Sequence, residues 1–552
     1  MILALINTAK AAYQDRQQPL TGWLDTHFGD PLPGSGAVGE YQAILSDGHG
    51  HLLSELDIDP NLAETYRGQQ VTIVGQQIEA MNSAVASVPR LTVQTITPVS
   101  AISDVTVPGV TGSQPWVNLL CKFSDVATEP FPPSHYIPLF SDVYPGLDHY
   151  FRQMSYNNIN LIGTFTASQW YVLPHPTTYY FENNTLHLDQ LANDCALQAN
   201  ADVYFPGFRG INMMLNEALG CCAYGGTTTL TIDGQTRSYR ATWIPSTAQR
   251  HDVVAHEMGH GFGFHHSTGP ANNPPNGLNV YVSEWDVMSI SLGTGLVMDT
   301  NPEYSYLPPG TIAYHLDQVG WIPMRRRVVV TPGRSAMVTL EQLQLPNQND
   351  NALIVRIPIS GMPNLFYTVE ARTLNGYDQN IPAAAVVIHL VNTQASLQNG
   401  DALVVDADTT NTNVNDAGAR WLPGETFTDI ARNISIEVLS STSTSFSVRV
   451  KNNVQPDSSN AAPDLLFSAD GNYHLSWDPV SWATGYEIQI DTDKDFLLPY
   501  YLSDASLPAN QWSFDLTAMQ DGIYYWRVRT KDANGLSGSW SSIQSLTVLR
   551  PG

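Results

Sequence analysis

Between His256 and His266 the chain reads HEMGHGFGFHH. Four imidazoles and a carboxylate in eleven residues are not what a packed helix uses, because each polar group taken from water costs free energy unless a partner replaces the water. On a helix, His256 and His260 stand at i and i+4 and project from one face at a separation that suits a single metal ion. Glu257 is rotated by about 100° from His256, which lets it reach a metal-bound water and leaves the metal itself to the imidazoles. Gly261 and Gly263 can end the helix, and Gly263 is free to take a positive φ, so His266 approaches the same point from beyond the turn. Upstream, Ser246 is expected to cap the helix that runs through TAQRHDVVAHEMGH.

The order H-E-x-x-H-x-x-G-x-x-H is met at His256, Glu257, His260, Gly263 and His266. With SEWDVMS placing Met288 22 residues after the third histidine, the chain resembles the metzincin metallopeptidases. Within that clan it looks most like immune-inhibitor-A-like and gametolysin-like enzymes. The likeness rests on LDHYFRQMSYNNINLIGTF, the HHS at His265 to Ser267, EWDVMS and AYHLDQVGWIP, and covers about Pro108 to Pro323. The resemblance implies a Zn²⁺ ion held by His256, His260 and His266, with Met288 in the methionine turn beneath it. It also implies Glu257 as general base for a zinc-activated water, and hydrolysis of peptide bonds in a protein, peptide or glycoprotein substrate.

One position departs from the clan's pattern. Where some metzincins carry a tyrosine two residues after the turn methionine, this chain has Ile290. Stabilisation of the developing oxyanion must then come from elsewhere, with Tyr281, Tyr304, Tyr306 and His315 as candidates. His265 adjoins a ligand but points elsewhere on a regular backbone, so a supporting or surface role is preferred to substrate contact. No cysteine-switch motif is evident. Cys121 lies in an apolar strand and reads as an inert core thiol, while Cys195 can pair with Cys221 or Cys222. The strand SYRATWI before the helix is read as open on one side, so that an extended substrate adds to Arg240 to Ile244.

At 552 residues the chain is long enough for several domains at about 150 residues each. The expected architecture is multidomain α+β. Residues 1–105 alternate apolar and polar positions between turn signals and read as an OB-like β module, for which a structural or folding-assistant role is preferred to ligand binding. The metzincin-like catalytic domain, a twisted sheet plus the active-site helix, spans 106–325. A β-sandwich follows at 326–455, then the linker NNVQPDSSNAAPD, then a fibronectin-III-like module at 463–552 with Trp477 and Tyr525 or Trp526 in its core.

The net charge of −26 repels phosphate backbones and anionic headgroups, so neither nucleic acid nor membrane insertion is expected. The start MILALINTAKAA lacks the basic region and long apolar stretch of an export signal. Secretion of a monomer is nevertheless the expectation from the peptidase resemblance and its trailing β modules. Structural Ca²⁺ is weighed at Asp406 to Asp416 and at Asp491 to Asp495, with a solvated turn preferred. The rival functional reading is an extracellular glycan- or protein-binding adhesion protein with a vestigial zinc site.

Overall fold

A computed structural model describes residues 19–31, 39–78, 88–99, 110–182, 185–270, 278–289, 306–395, 397, 400–407, 413–453, 463–467, 473–480, 482–511, 513–516, 520 and 522–548. The protein is multidomain and mostly β, and divides into two compact units. One comprises residues 1–329, 337–427 and 437–449; the other comprises 330–336, 428–436 and 450–552.

In the first unit, the alternation seen in the N-terminal sequence becomes β1 (Leu20–Pro31), β2 (Glu40–Ser46), β3 (Leu52–Asp57), β4 (Gln69–Ile78) and β5 (Arg90–Pro98), with α1 (Pro60–Tyr66) between the third and fourth strands. The Asp59 carboxylate caps α1 by accepting from the Asn61 and Leu62 N–H groups. Pairing runs β1-β2-β3-β5-β4 and returns to β1, a closed five-stranded ring in which β3 and β5 are parallel. Leu24, Leu45, Leu56, Val71 and Ile73 fill it. Closure removes the free edges a small sheet would otherwise expose.

The mixed α/β region contributes β6 (Trp116–Lys122), α2 (Leu147–Met154), β7 (Phe165–Val172), α3 (Leu188–Ala199), β8 (Gly210–Leu215), β9 (Cys222–Ile232), β10 (Gln235–Ile244) and α4 (His251–Phe262). The residues expected at helical spacing, Leu147, Tyr150, Phe151 and Met154, are all buried on α2. β7, β6, β8 and β10 lie side by side and parallel, and β10 returns antiparallel to β9 through Asp233 and Gly234, both at positive φ. The far end of β1 then pairs antiparallel with β9, so barrel and α/β sheet are one continuous ten-stranded sheet.

After the third histidine come β11 (Ser267–Pro270), β12 (Leu278–Asn279), α5 (Ala313–Gln318), β13 (Arg327–Val329), β14 (Ile354–Ile359), β15 (Met362–Arg372), β16 (Ala385–Asn392) and β17 (Ala402–Val404). They form one seven-stranded sheet ordered β12-β11-β17-β16-β15-β14-β13. The boundary expected at 325/326 is therefore not a seam: Ser267 and Thr268, directly after His266, pair with Ala402 and Leu403. A buried ion cluster ties this sheet to the turn that carries Met288. The Arg372 guanidinium is bidentate to Asp378, reaches Glu370 at 3.0 Å, and donates to the Trp285 carbonyl. Glu370 also accepts from the Ala313 N–H. Every charge in the cluster is paired, which is what burial of an arginine demands.

In the second unit, β18 (Pro463–Phe467), β19 (Tyr473–Trp477) and β22 (Ser513–Leu516) form one sheet. The other sheet is β21 (Leu502–Pro508), β20 (Gly485–Asp491), β23 (Gly522–Lys531) and β24 (Gln544–Val548). Trp477, Tyr486 and Trp526 meet in the core between them. Strand alternation settles the choice between two adjacent aromatics: Trp526 points inward and Tyr525 does not.

Two disulfides revise the cysteine reading. Cys121 is bonded to Cys195, joining β6 to α3, and Cys221 is bonded to its neighbour Cys222. Cys121 is thus no free thiol, because α3 lies against the strand that carries it. No helix among the described residues is long and apolar enough to cross a membrane.

Candidate metal centre

α4 begins at His251, not near Ser246, whose N–H instead binds the Glu217 carbonyl. It ends as the glycine placement requires. Gly263 takes φ +102°, its N–H reaching the Gly259 and His260 carbonyls while the Phe264 N–H returns to Gly259. That reversal brings His266 back over the helix. The ring centroids of His256 and His260 are 5.0 Å apart, those of His256 and His266 5.4 Å, and those of His260 and His266 4.7 Å.

Two of the rings are fixed from behind. His256 Nδ1 donates to the Val287 carbonyl at 2.8 Å, and His260 Nδ1 donates to the Phe264 carbonyl at 2.9 Å. With Nδ1 donating backward, each Nε2 faces into the cup, where it can offer a lone pair to a metal once it carries no proton. Met288 lies beneath. Gly259 accommodates it, since a Cβ there would sit 2.7 Å from the Met288 Sδ. Asp286 holds the turn, accepting from the Met288 N–H at 3.1 Å and from the Thr311 hydroxyl at 2.8 Å.

The fourth member of the cup is a residue that sequence reasoning missed. Asp30, at the end of β1, is fully buried. Its Oδ2 lies 3.3 Å from His256 Nε2 and 3.1 Å from His260 Nε2, and its Oδ1 lies 2.8 Å from His266 Nε2. Donor atoms from Asp30, His256, His260 and His266 all fall within 4.8 Å of one another, and no other such group occurs among the described residues. Asp30 stands 230 positions before His260, so nothing local in the sequence points to it.

The donor set fits a divalent metal. His256 Nε2, His266 Nε2 and both Glu257 carboxylate oxygens are buried without a hydrogen-bond partner in the protein. A cation with its solvent ligand would satisfy such a set. Burial alone would raise Asp30, but His266 and His256 hold it well below the usual carboxylate range. Burial and then the Asp30 charge push Glu257 well above that range. Burial depresses His260 to about 3.

Asp30 arrives on a paired strand. His27, Phe28, Gly29, Asp30 and Pro31 lie opposite Gly226, Gly225, Tyr224, Ala223 and Cys222 of β9, antiparallel. The Phe28 ring also stacks on His260, with centroids 4.2 Å apart. This corrects the expectation of an open edge at Arg240 to Ile244. β10 is flanked on both sides, by β8 and by β9, and it is β9 that presents its edge over α4, already filled by β1.

The remaining candidates separate cleanly. Tyr281 donates its hydroxyl proton to Asp30 Oδ1 at 2.6 Å. Tyr306 carries the Arg250 guanidinium over its ring, and His315 is turned onto Thr311 and Asp286. Ile290 and Tyr304 lie outside the described residues. His265 Nδ1 pairs with Asp401 at 3.1 Å, where the Tyr314 hydroxyl also donates, so it supports the turn after α4. Of the calcium candidates, Asp491 and Asp493 accept N–H groups of their own loop, the pattern of a polar turn. Residues 408–412 of the other stretch, residues 454–462 of the linker and the apolar start at 1–12 lie outside the described residues.

No protein-family model matches the chain, and no curated protein does. Solved structures show local likeness only. A Fn3-like protein from Clostridium thermocellum is 18% identical over 17% of this chain and 99% of that one, with a TM-score of 0.14. A pectate lyase from Erwinia chrysanthemi is 17% identical over 16% of this chain and 28% of its own, with a TM-score of 0.14. The spore cortex lytic enzyme of Clostridium perfringens is 10% identical over 20% of this chain and 38% of its own, with a TM-score of 0.15.

Proposed function

We propose that the chain is a secreted zinc-dependent endopeptidase of metzincin type, held closed by its own N-terminal strand. The observation that carries this reading is the Asp30 carboxylate lying within 3.3 Å of all three ring nitrogens, on a strand laid antiparallel along β9 as an extended peptide would be. His256, His260 and His266 would hold the metal. Bound there, zinc would supply a Lewis acid and lower the pKa of a coordinated water towards about 7.

The chain's own groups do the rest. The β9 edge pairs with the substrate backbone and sets its direction. Glu257, whose oxygens have no donor in the protein, accepts the proton of the attacking water and delivers it to the leaving amine nitrogen. A buried carboxylate left unpaired beside three imidazoles has no use in a purely structural site, which favours catalysis over the adhesion reading. The Cys121 to Cys195 bridge and the acidic composition support an oxidising, extracellular setting.

The test is hydrolysis of casein by the Asp30→Ala chain reconstituted with zinc. Cleavage that stops with chelator, and that Glu257→Ala abolishes while zinc is retained, is expected. A zinc-loaded Asp30→Ala chain that cleaves neither casein nor gelatin would sink the reading.

A further inference from the structure

The Asp30 carboxylate is a carbon bearing two oxygens, the same arrangement that a peptide carbon acquires when water adds to it. Its surroundings therefore show what the cup offers to each oxygen. Oδ2 faces His256 and His260. Oδ1 faces His266 at 2.8 Å and accepts the Tyr281 hydroxyl proton at 2.6 Å. Hydrolysis asks for an acceptor beside the attacking oxygen and a donor beside the carbonyl oxygen, where negative charge develops. Glu257 is the acceptor. Tyr281 is the donor.

Its placement is built into the fold. The chain leaves His266 as β11, whose Gly269 and Pro270 pair antiparallel with Asn279 and Leu278 of β12, and Tyr281 follows two residues on. The Tyr281 ring stands edge-on to His266, with centroids 5.5 Å apart. One antiparallel strand pair thus follows the third imidazole and precedes the hydroxyl. Tyr306 and His315 are engaged with Arg250, Thr311 and Asp286.

We propose that Tyr281 is a catalytic residue of this peptidase, donating a hydrogen bond to the carbonyl oxygen of the scissile peptide once Asp30 has left. The proposal rests on the peptidase reading above. It assigns to a residue before the methionine turn the task for which Ile290, after that turn, has no polar group.

The competing role for Tyr281 is to latch Asp30 and nothing more. The experiment uses the full chain carrying Asp30→Ala, in which there is no carboxylate to latch. Adding Tyr281→Phe should lower kcat for a fluorogenic peptide about 10²-fold, with KM changed less than about threefold and zinc content unchanged. Independently of turnover, calorimetric affinity for a blocked phosphinic tetrapeptide, whose two phosphinyl oxygens mimic the hydrated carbonyl, should fall by a similar factor. Tyr281→His restores a donor and should recover at least about tenfold of the loss.

Unchanged kcat and unchanged phosphinate affinity overturn the role of Tyr281 and leave the peptidase reading standing. Equal losses for Phe and His, accompanied by a lower melting temperature, mark a structural role and overturn it too. An Asp30→Ala chain that holds zinc yet hydrolyses nothing overturns the peptidase reading, and the catalytic role of Tyr281 with it.

Discussion

Truncating Asp30 to alanine in the full chain should switch on activity without any cut in the backbone. The carboxylate is fully buried and makes four close polar contacts, at 2.6 Å to Tyr281, 2.8 Å to His266, 3.1 Å to His260 and 3.3 Å to His256. Removing one partner from a buried charge cluster costs about 3–5 kcal/mol. The same interaction energy is lost from the closed state, so the end of β1 should leave the cup about 10²- to 4 × 10³-fold more often, at about 1.4 kcal/mol per factor of ten. The five backbone pairings of His27 to Pro31 with β9 remain and keep the strand from leaving for good. The assay compares hydrolysis of a fluorogenic peptide by wild-type and Asp30→Ala chains, each verified intact by mass. A parallel measurement follows zinc loss to a chromogenic chelator in an Asp30→Ala, Glu257→Gln chain, which cannot digest itself. Both rates should rise. If neither does, Asp30 is not what closes the site.

Glu257→Gln should keep one zinc per chain and lose about 10²-fold or more in kcat; undiminished turnover would remove the proposed base. Burial raises Asp25 from 3.8 to about 6, against the hydrogen bonds it accepts from Thr229 and Thr227. Because the folded value is the higher one, its contribution is complete below about pH 4 and is lost as pH rises through about 6, an order of 3 kcal/mol. Wild type should therefore lose about that much stability relative to Asp25→Asn between pH 4 and 7 in urea titrations, and parallel curves would contradict it. Arg372→Met strands Glu370 and Asp378 and should cost about 3–5 kcal/mol, read as a lower denaturation midpoint; a change under about 1 kcal/mol would mean the cluster does not anchor the methionine turn.

The clustering of the three histidines was legible because its geometry is local. Helical spacing fixes His256 against His260, and a glycine that can take positive φ fixes where His266 returns. Asp30 was invisible for the opposite reason: its meaning comes from a strand pairing with a distant part of the chain, as between Asp30 and Ala223, and one aspartate in an alternating strand carries no mark of that. An open edge was expected on β10 because the two strands of a hairpin read alike. Which one is enclosed depends on β8, a parallel partner brought in from elsewhere in the chain. The 325/326 boundary failed similarly, since the short strand after His266 looks like a loop until its partner at Ala402 is known. Cysteine pairing was out of reach because α3 had to be set against β6 first.

β1 belongs to two structures at once: its first residues are staves of the N-terminal barrel, bonded to β4 and β2, and its last are bonded to β9. Freeing the cup for good therefore means severing β1 between the residues held in the barrel wall and those held by β9. On the closed-peptidase reading the plug would act as a fuse, spent in a single event, and the endurance of the small barrel would set when that event comes.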